Sequence, residues 1–296
     1  MQKILFDTDI GTDIDDALAL AYLLCEPQCE LLGVTTVTGE PERRAEMVSA
    51  VCRNLGRDEV PIHVGCGRAM LVDLRQKTAA QAAALHAWPH RAFGRENTAI
   101  EFLRRTIRAH PGEVTLLAVG PLTNVGVLFA TDPELPALLQ GLVLMCGRFY
   151  TALGGEWNAI NDPHATAIAY GNTLHAKPPR HVSYGLDVTT QVVLQRDEAR
   201  RRFAGIKALE PVRDFAEVWF QRSERVTFHD PLAAVGVFHP GVCTYEARAV
   251  DVSLAEPTLG WTVPRAGAEV LPHHLARTVD AAAFFDHYFK TLTAVS

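Results

Sequence analysis

The chain has 296 residues, 48% of them hydrophobic and 21% charged, with a formal net charge of -6. This composition excludes a disordered chain, and no apolar run reaches the length of a membrane span, so no membrane partner is expected. The acidic balance excludes an extended phosphate-binding surface, and with it nucleic acid as a partner.

In chain order, Lys3 to Asp7 reads as a strand and Asp16 to Cys25 as a helix. Glu30 to Val37, rich in β-branched residues, is a second strand. Pro41 to Leu55 is an amphipathic helix with Pro at its first position. A short strand is predicted for Pro61 to Val64, a helix for Thr98 to Ala109, and a buried strand for Val114 to Val119. Leu122 to Ala130 follows as a helix, Leu142 to Met145 as a strand, and Asp162 to Tyr170 as a helix started by Asp-Pro. Glu198 to Arg225 reads as helical in two or more pieces, Asp230 to Phe238 as a helix, Cys243 to Thr278 as strands with turns, and Asp280 to Leu292 as a closing helix. Residues 66–97 and 205–228 have no clear pattern and are candidates for loops near a site.

Strands that alternate with helices, and are themselves almost continuously apolar, imply βαβ units. The expected fold class is α/β: a Rossmann-like open, mostly parallel sheet with helices on both faces and an additional C-terminal helical and strand region. No low-complexity linker or repeat divides it, so residues 1–296 are expected to form a single domain. The six cysteines show no C-x-x-C pair and no zinc spacing, and read as reduced core residues. MQKILFD enters a strand at once, which leaves no room for a secretory leader; the expected localisation is cytoplasmic.

The densest chemistry lies at the first strand-to-helix turn, where Asp7, Asp9, Asp13, Asp15 and Asp16 fall within ten positions. So much like charge in water-poor surroundings requires a neutralising partner, and a divalent cation with oxygen ligands supplies one. Helix capping accounts for one or two of these residues, but not for Asp7 and Asp9 at the end of an apolar strand. A second group is Glu156-Trp157-Asn158, between the Leu153-Gly154-Gly155 turn and a helix start. Its carboxylate and amide, two apart on an extended segment, share a side and suit vicinal hydroxyls, whereas the bland alternative is a loop and cap. A third is His229-Asp230-Pro231, an acid/base group beside a ligand or cap, with an incidental His as the alternative.

Together these segments resemble the nucleoside N-ribohydrolases, the inosine–uridine-preferring nucleoside hydrolases. The resemblance rests on Asp7-Thr8-Asp9-Ile10-Gly11, Asp15-Asp16-Ala17-Leu18, Val34 to Val37, Ala118 to Asn124, Glu156 with Asn158, Gly185 to Thr189, and His229-Asp230-Pro231, and spans about Ile4 to Ala234. It implies cleavage of a ribonucleoside to base and ribose, as in purine or pyrimidine salvage, by a Ca²⁺-bound water activated by Asp9. It further implies Ca²⁺ ligation by Asp9, Asp16, Asp230 and the Thr123 carbonyl, with Asp15, Asn158 and Glu156 at the sugar and Asp7 supporting them. His229 is the acid expected at the leaving base, and Phe149, Tyr150, Trp157, Trp219 and Phe228 are candidates to flank it. The resemblance also implies a homodimer or homotetramer.

Three departures stand out. Gly39-Glu40 and Tyr150 replace two amides of the family pattern, which would place Glu40 and Tyr150 at the substrate, and three residues rather than one separate Gly11 from the Asp pair, leaving Asp13 without a role. These departures keep open a hydrolase of a modified nucleoside and a non-catalytic nucleoside or ribose binder. A phosphatase of the haloacid-dehalogenase type also opens with Asp-x-Asp, but leaves the second and third groups unexplained.

Overall fold

The computed structural model describes residues 1–151, 154–171, 179–270 and 272–294. Its first half alternates strand and helix: β1 (Gln2–Thr8), α1 (Asp15–Cys25), β2 (Cys29–Thr36), α2 (Pro41–Asn54), β3 (Ile62–Val64), α3 (Ala99–Ala109), β4 (Val114–Ala118), α4 (Thr123–Thr131) and β5 (Gly141–Met145). Then come α5 (Trp157–Asn161), α6 (Pro163–Gly171), β6 (Arg180–Tyr184), α7 (Leu186–Thr189), β7 (Val193–Gln195), α8 (Arg196–Phe203), α9 (Glu210–Trp219), β8 (Arg225–Thr227) and α10 (His229–Phe238). The chain closes with β9 (Cys243–Val252), β10 (Thr262–Arg265), β11 (His273–Val279) and α11 (Ala281–Thr293).

Nine strands form one sheet in the order β10-β9-β11-β6-β5-β4-β1-β2-β3. It is parallel from β3 through β11, and β9 and β10 add antiparallel pairings at the far edge. β7 and β8 pair separately. Side chains alternate across a strand, so Ile4 and Phe6 enter one core, with residues of α1, α2, α9, α10 and α11, while Leu5 enters the other, with residues of α3, α4 and α6. Both faces of the sheet are therefore covered, which is why β4 and β5 are apolar almost throughout and β1 is apolar at its centre.

From β1 the chain moves outward through β2 and β3, then returns to place β4, β5 and β6 on the other side. The crevice beyond the carboxyl ends of β1 and β4 is the topological switch point, the place where open sheets of this kind bind ligands.

β6 carries no apolar run, and the sequence pattern does not reveal it. It lies in the middle of the sheet because its polar residues are satisfied inside: Ser183 Oγ lies 2.8 Å from the Tyr170 hydroxyl and 3.1 Å from His181 Nε2. The helical reading of Glu198 to Arg225 also needs correction. Helix ends at Trp219, and Arg225 begins β8, paired with β7. Among the described residues no helix is long and apolar enough to cross a membrane.

Candidate active site

A cavity of about 310 Å³ opens at the switch point, at the lower end of the range for small-molecule sites. Its wall includes Asp9, Asp13, Asp15, Asp16, Glu156, Trp157, Asn158, His229 and Asp230, so all three groups singled out in the sequence meet there. Asp9 follows β1, Asp15 and Asp16 open α1, and Asp230 lies in the first turn of α10. Two helix N-termini thus point their positive dipole ends at the carboxylates. The approach of the strand ends is close: a Cβ on Gly120 would lie 2.8 Å from Asp9 Oδ1.

Carboxylate oxygens of Asp15, Asp16 and Asp230 all lie within 4.8 Å of one another. Asp16 Oδ1 accepts the Thr8 hydroxyl and, at 3.1 Å, the Asp9 N–H. The Asp230 N–H donates to Asp15 Oδ2 at 3.3 Å. Burial pushes all three carboxyls well above the usual range, and neighbouring aspartates add to the shift. Asp9 is also raised by burial, against the opposing pull of the Arg44 guanidinium. Asp7 lies behind, accepting Thr35 Oγ1 and Asn124 Nδ2, and burial pushes it up to about 7. Its other oxygen, Asp7 Oδ2, is buried with no partner among the described residues.

Six aspartates gather here, counting Asp7 and Asp13. The nearby described cations that act on them are Arg44, fully buried beneath the turn and donating to the carbonyls of Thr38, Gly39, Asp9 and Ile10, and Arg222, which donates to the Thr12 carbonyl beside Asp13. The excess of buried negative charge and the all-oxygen donor set fit a hard divalent cation.

Glu156 caps α5: Oε1 accepts the Asn158 N–H at 2.7 Å, and Oε2 accepts Ala159 and Gly147 N–H at 2.9 and 3.1 Å. Asn158 Nδ2 donates to the carbonyls of Val119 and Met145 at 2.6 and 3.0 Å, bridging the ends of β4 and β5. With both amide hydrogens so committed, Oδ1 is the atom it can offer a ligand. His229 Nδ1 lies 2.7 Å from Thr189 Oγ1; burial, and then Arg225, lower its pKa to about 4, which holds the ring neutral.

Thr123 is buried at the start of α4 with its hydroxyl on Asp162 at 2.8 Å, and the atom expected at the metal is its main-chain carbonyl. Other expected residues lie elsewhere. Glu40 is exposed, in a left-handed conformation with φ 57°, and its carboxylate accepts the Ala79 N–H at 2.9 Å, away from the cavity. Tyr150 is drawn off by Asp187, which accepts its N–H at 2.9 Å, and its ring lies under the Arg277 guanidinium at 3.9 Å. Of the five candidate aromatics, Trp157 and Trp219 line the cavity; Phe228 is in the core against Phe284, and Phe149 packs beside Gly185. Leu153 of the Gly-rich turn lies outside the described residues.

Gln76 and Arg222 line the cavity unforeseen. Both belong to stretches without periodicity, and nothing in the local sequence marks either one. Asp13, unassigned from sequence, also lines the cavity.

The chain is similar along almost its whole length to known proteins. It is 30% identical over 283 residues to "Pyrimidine-specific ribonucleoside hydrolase RihA" of Klebsiella pneumoniae, covering 88% of this chain and 87% of that protein. It is 27% identical to "Uridine nucleosidase 1" of Arabidopsis thaliana, covering 88% and 81%. A solved purine-preferring ribonucleoside hydrolase from Gardnerella vaginalis shares the fold with a TM-score of 0.84 at 24% identity, over 99% of each chain. Residues 4–286 match the family described as inosine-uridine preferring nucleoside hydrolase, and with the converged acidic cleft at the switch point of its sheet this chain belongs to that family of hydrolases.

Proposed function

We propose that this protein hydrolyses the N-glycosidic bond of a ribonucleoside, releasing free base and ribose, with Ca²⁺ as its metal. The observation that carries the reading is the convergence of Asp15, Asp16 and Asp230, from two helix N-termini, beside Asp9 and under a cavity walled by Trp157 and Trp219. Asp9, Asp16 and Asp230 would hold the ion with the Thr123 carbonyl, and the tight grouping of Asp15 with Asp16 and Asp230 makes Asp15 a candidate at both metal and sugar. When bound, calcium supplies a hard anchor for sugar hydroxyls and acidifies water modestly.

The chain's own residues account for the rest of the reaction. Asp9 takes the proton of the water that attacks C1′ as the bond to the base nitrogen breaks, and the base departs with the bonding pair and gains a proton from solvent. Positive charge builds on C1′ and the ring oxygen, and the surrounding carboxylates, Asp15 and Glu156 among them, stabilise it. Asn158 offers a carbonyl oxygen to a ribose hydroxyl. His229, neutral and fixed by Thr189, serves as a hydrogen-bonding group toward the leaving base. Trp157 and Trp219 offer flat faces to a planar base. Glu40 and Tyr150, on which a non-catalytic binder would rest, do not line the cavity.

The test is a panel of purine, pyrimidine and modified nucleosides with Ca²⁺ present, read by released ribose. Uridine comes first because relatives are named for it. Turnover of at least one nucleoside is expected, with loss of activity in Asp9→Ala at unchanged circular dichroism. Failure to release reducing sugar from any nucleoside, together with no calorimetric Ca²⁺ binding, would end the proposal.

A further inference from the structure

Gln76 is 4% exposed, in a stretch without regular secondary structure, and its amide is committed at both ends. Nε2 donates to Asp9 Oδ2, and Oε1 accepts the Trp157 indole N–H at 2.6 Å. The two ends cannot be exchanged. An indole N–H is only a donor and an ionised carboxylate only an acceptor, so the oxygen must face Trp157 and the NH₂ must face Asp9. Trp157, itself 48% exposed at the cavity wall, thereby sets the polarity of a bond to a buried carboxylate.

The backbone around Gln76 is pinned as well. A Cβ on Gly39 would lie 2.3 Å from the Gln76 carbonyl oxygen and 2.5 Å from that of Lys77, so this segment lies flush on the turn before α2. Glu40 secures the same segment by accepting the Ala79 N–H at 2.9 Å. The residue that seemed misplaced in sequence thus anchors the strap that brings a different amide to Asp9.

We propose that Gln76 is a positioning residue, which locks Asp9 in its reactive orientation and ties it to the Trp157 wall through one amide. It rests on the role given above to Asp9. A proton acceptor must be held within about 0.5 Å and 10–20° of its productive geometry, and an isolated aspartate rotamer is not so restricted. The Asp9 N–H is tied to Asp16 and its side chain also meets the Asp16 carboxyl, while Gln76 supplies the neutral side-chain donor that orients Oδ2.

Four variants test the link: Gln76→Met, which keeps volume and removes both bonds; Gln76→Glu, which keeps the acceptor for Trp157 but turns a carboxylate on Asp9; Trp157→Phe; and the Gln76→Met/Trp157→Phe double variant. With a nucleoside the wild type hydrolyses, Gln76→Met and Gln76→Glu should lower kcat by about ten- to a hundredfold, the range of one hydrogen bond to a charged group. KM should stay within about threefold and the melting temperature within a few degrees. Trp157→Phe should lose less, and the double variant should be no worse than Gln76→Met alone, because the two act as one unit. An activity-independent readout is solvent exchange of the Trp157 indole proton, assigned by its disappearance in Trp157→Phe. It should speed up about tenfold or more in Gln76→Met. Wild-type kcat in both Gln76 variants, or unchanged indole exchange in Gln76→Met, overturns the proposal. An inactive wild type with fast exchange only in the variant would instead overturn the assigned reaction and leave the Trp157–Gln76–Asp9 link standing.

Discussion

Replacing Asp230 with Asn should abolish the stabilising effect of calcium while raising the melting temperature of the metal-free protein. Asp230 faces Asp15 and Asp16 with oxygens no more than 4.8 Å apart. At that separation two ionised carboxylates repel by about 3.5 kcal/mol at an effective dielectric of about 20, so an ionised Asp230 meets about 7 kcal/mol of repulsion from the two. Metal-free protein escapes most of it by keeping protons on the cluster, in line with the raised carboxyls. The neutral amide should still relieve about 1 kcal/mol. In differential scanning calorimetry with chelator, Asp230→Asn should therefore melt higher than wild type. Calcium at a hundredfold excess over its Kd should stabilise wild type by about 2.7 kcal/mol, or roughly 4 °C for a chain of this size, and leave the variant where it was. Calcium-saturated wild type would then melt above the variant, and metal-free wild type below it. The reasoning is refuted if wild-type melting is indifferent to calcium and chelator while the metal-free variant melts lower than wild type.

Two further outcomes follow from buried polar groups. Arg44→Met should destabilise the fold by about 3 kcal/mol or more, measured by urea unfolding, because the carbonyls of Thr38, Gly39, Asp9 and Ile10 lose their donor and the turn loses its buried positive charge. Asp187 accepts the N–H groups of Phe149, Tyr150 and Thr151 at 2.7, 2.9 and 2.7 Å; burial raises its pKa, but these bonds outweigh burial and hold it below 3.8. The unfolded chain therefore binds the proton more readily, and the stability Asp187 contributes is present above about pH 4 and lost as pH falls through the lower folded value. Asp187→Asn should be less stable than wild type at pH 7 by about 2 kcal/mol, and the gap should narrow steadily below pH 4.

Much of the architecture is legible in the chain because the sheet is covered on both faces. β4 and β5 are apolar at nearly every position, β1 carries the apolar run Ile4 to Phe6 at its centre, and α2 and α10 carry Pro at or just after their starts. Runs of this kind allow few other conformations. β6 is the instructive failure. Arg180-His181-Val182-Ser183-Tyr184 looks like a loop until Tyr170 supplies the hydroxyl partner for Ser183 from α6 and His273 packs against His181 from β11. A local pattern cannot show a polar strand made buriable by partners on two other elements, α6 and β11.

The site divides in the same way. Sequence alone determined that an acidic turn follows the first strand, since five aspartates at one strand-to-helix turn demand neutralisation whatever the rest of the fold. It also marked Glu156, Asn158, His229 and Asp230, although Glu156 and Asn158, read there as part of an extended segment, in fact cap and open the helix α5. Only the tertiary structure decided which residues stand beside that turn. Glu40, in the position that pattern would assign to the substrate, turns its carboxylate to Ala79 and holds down a strap, and the strap delivers Gln76 to Asp9 from the aperiodic stretch 66–97. Charge density and helix starts are local properties of a chain; which amide reaches a carboxylate depends on how two distant segments pack, and no spacing along the sequence records it.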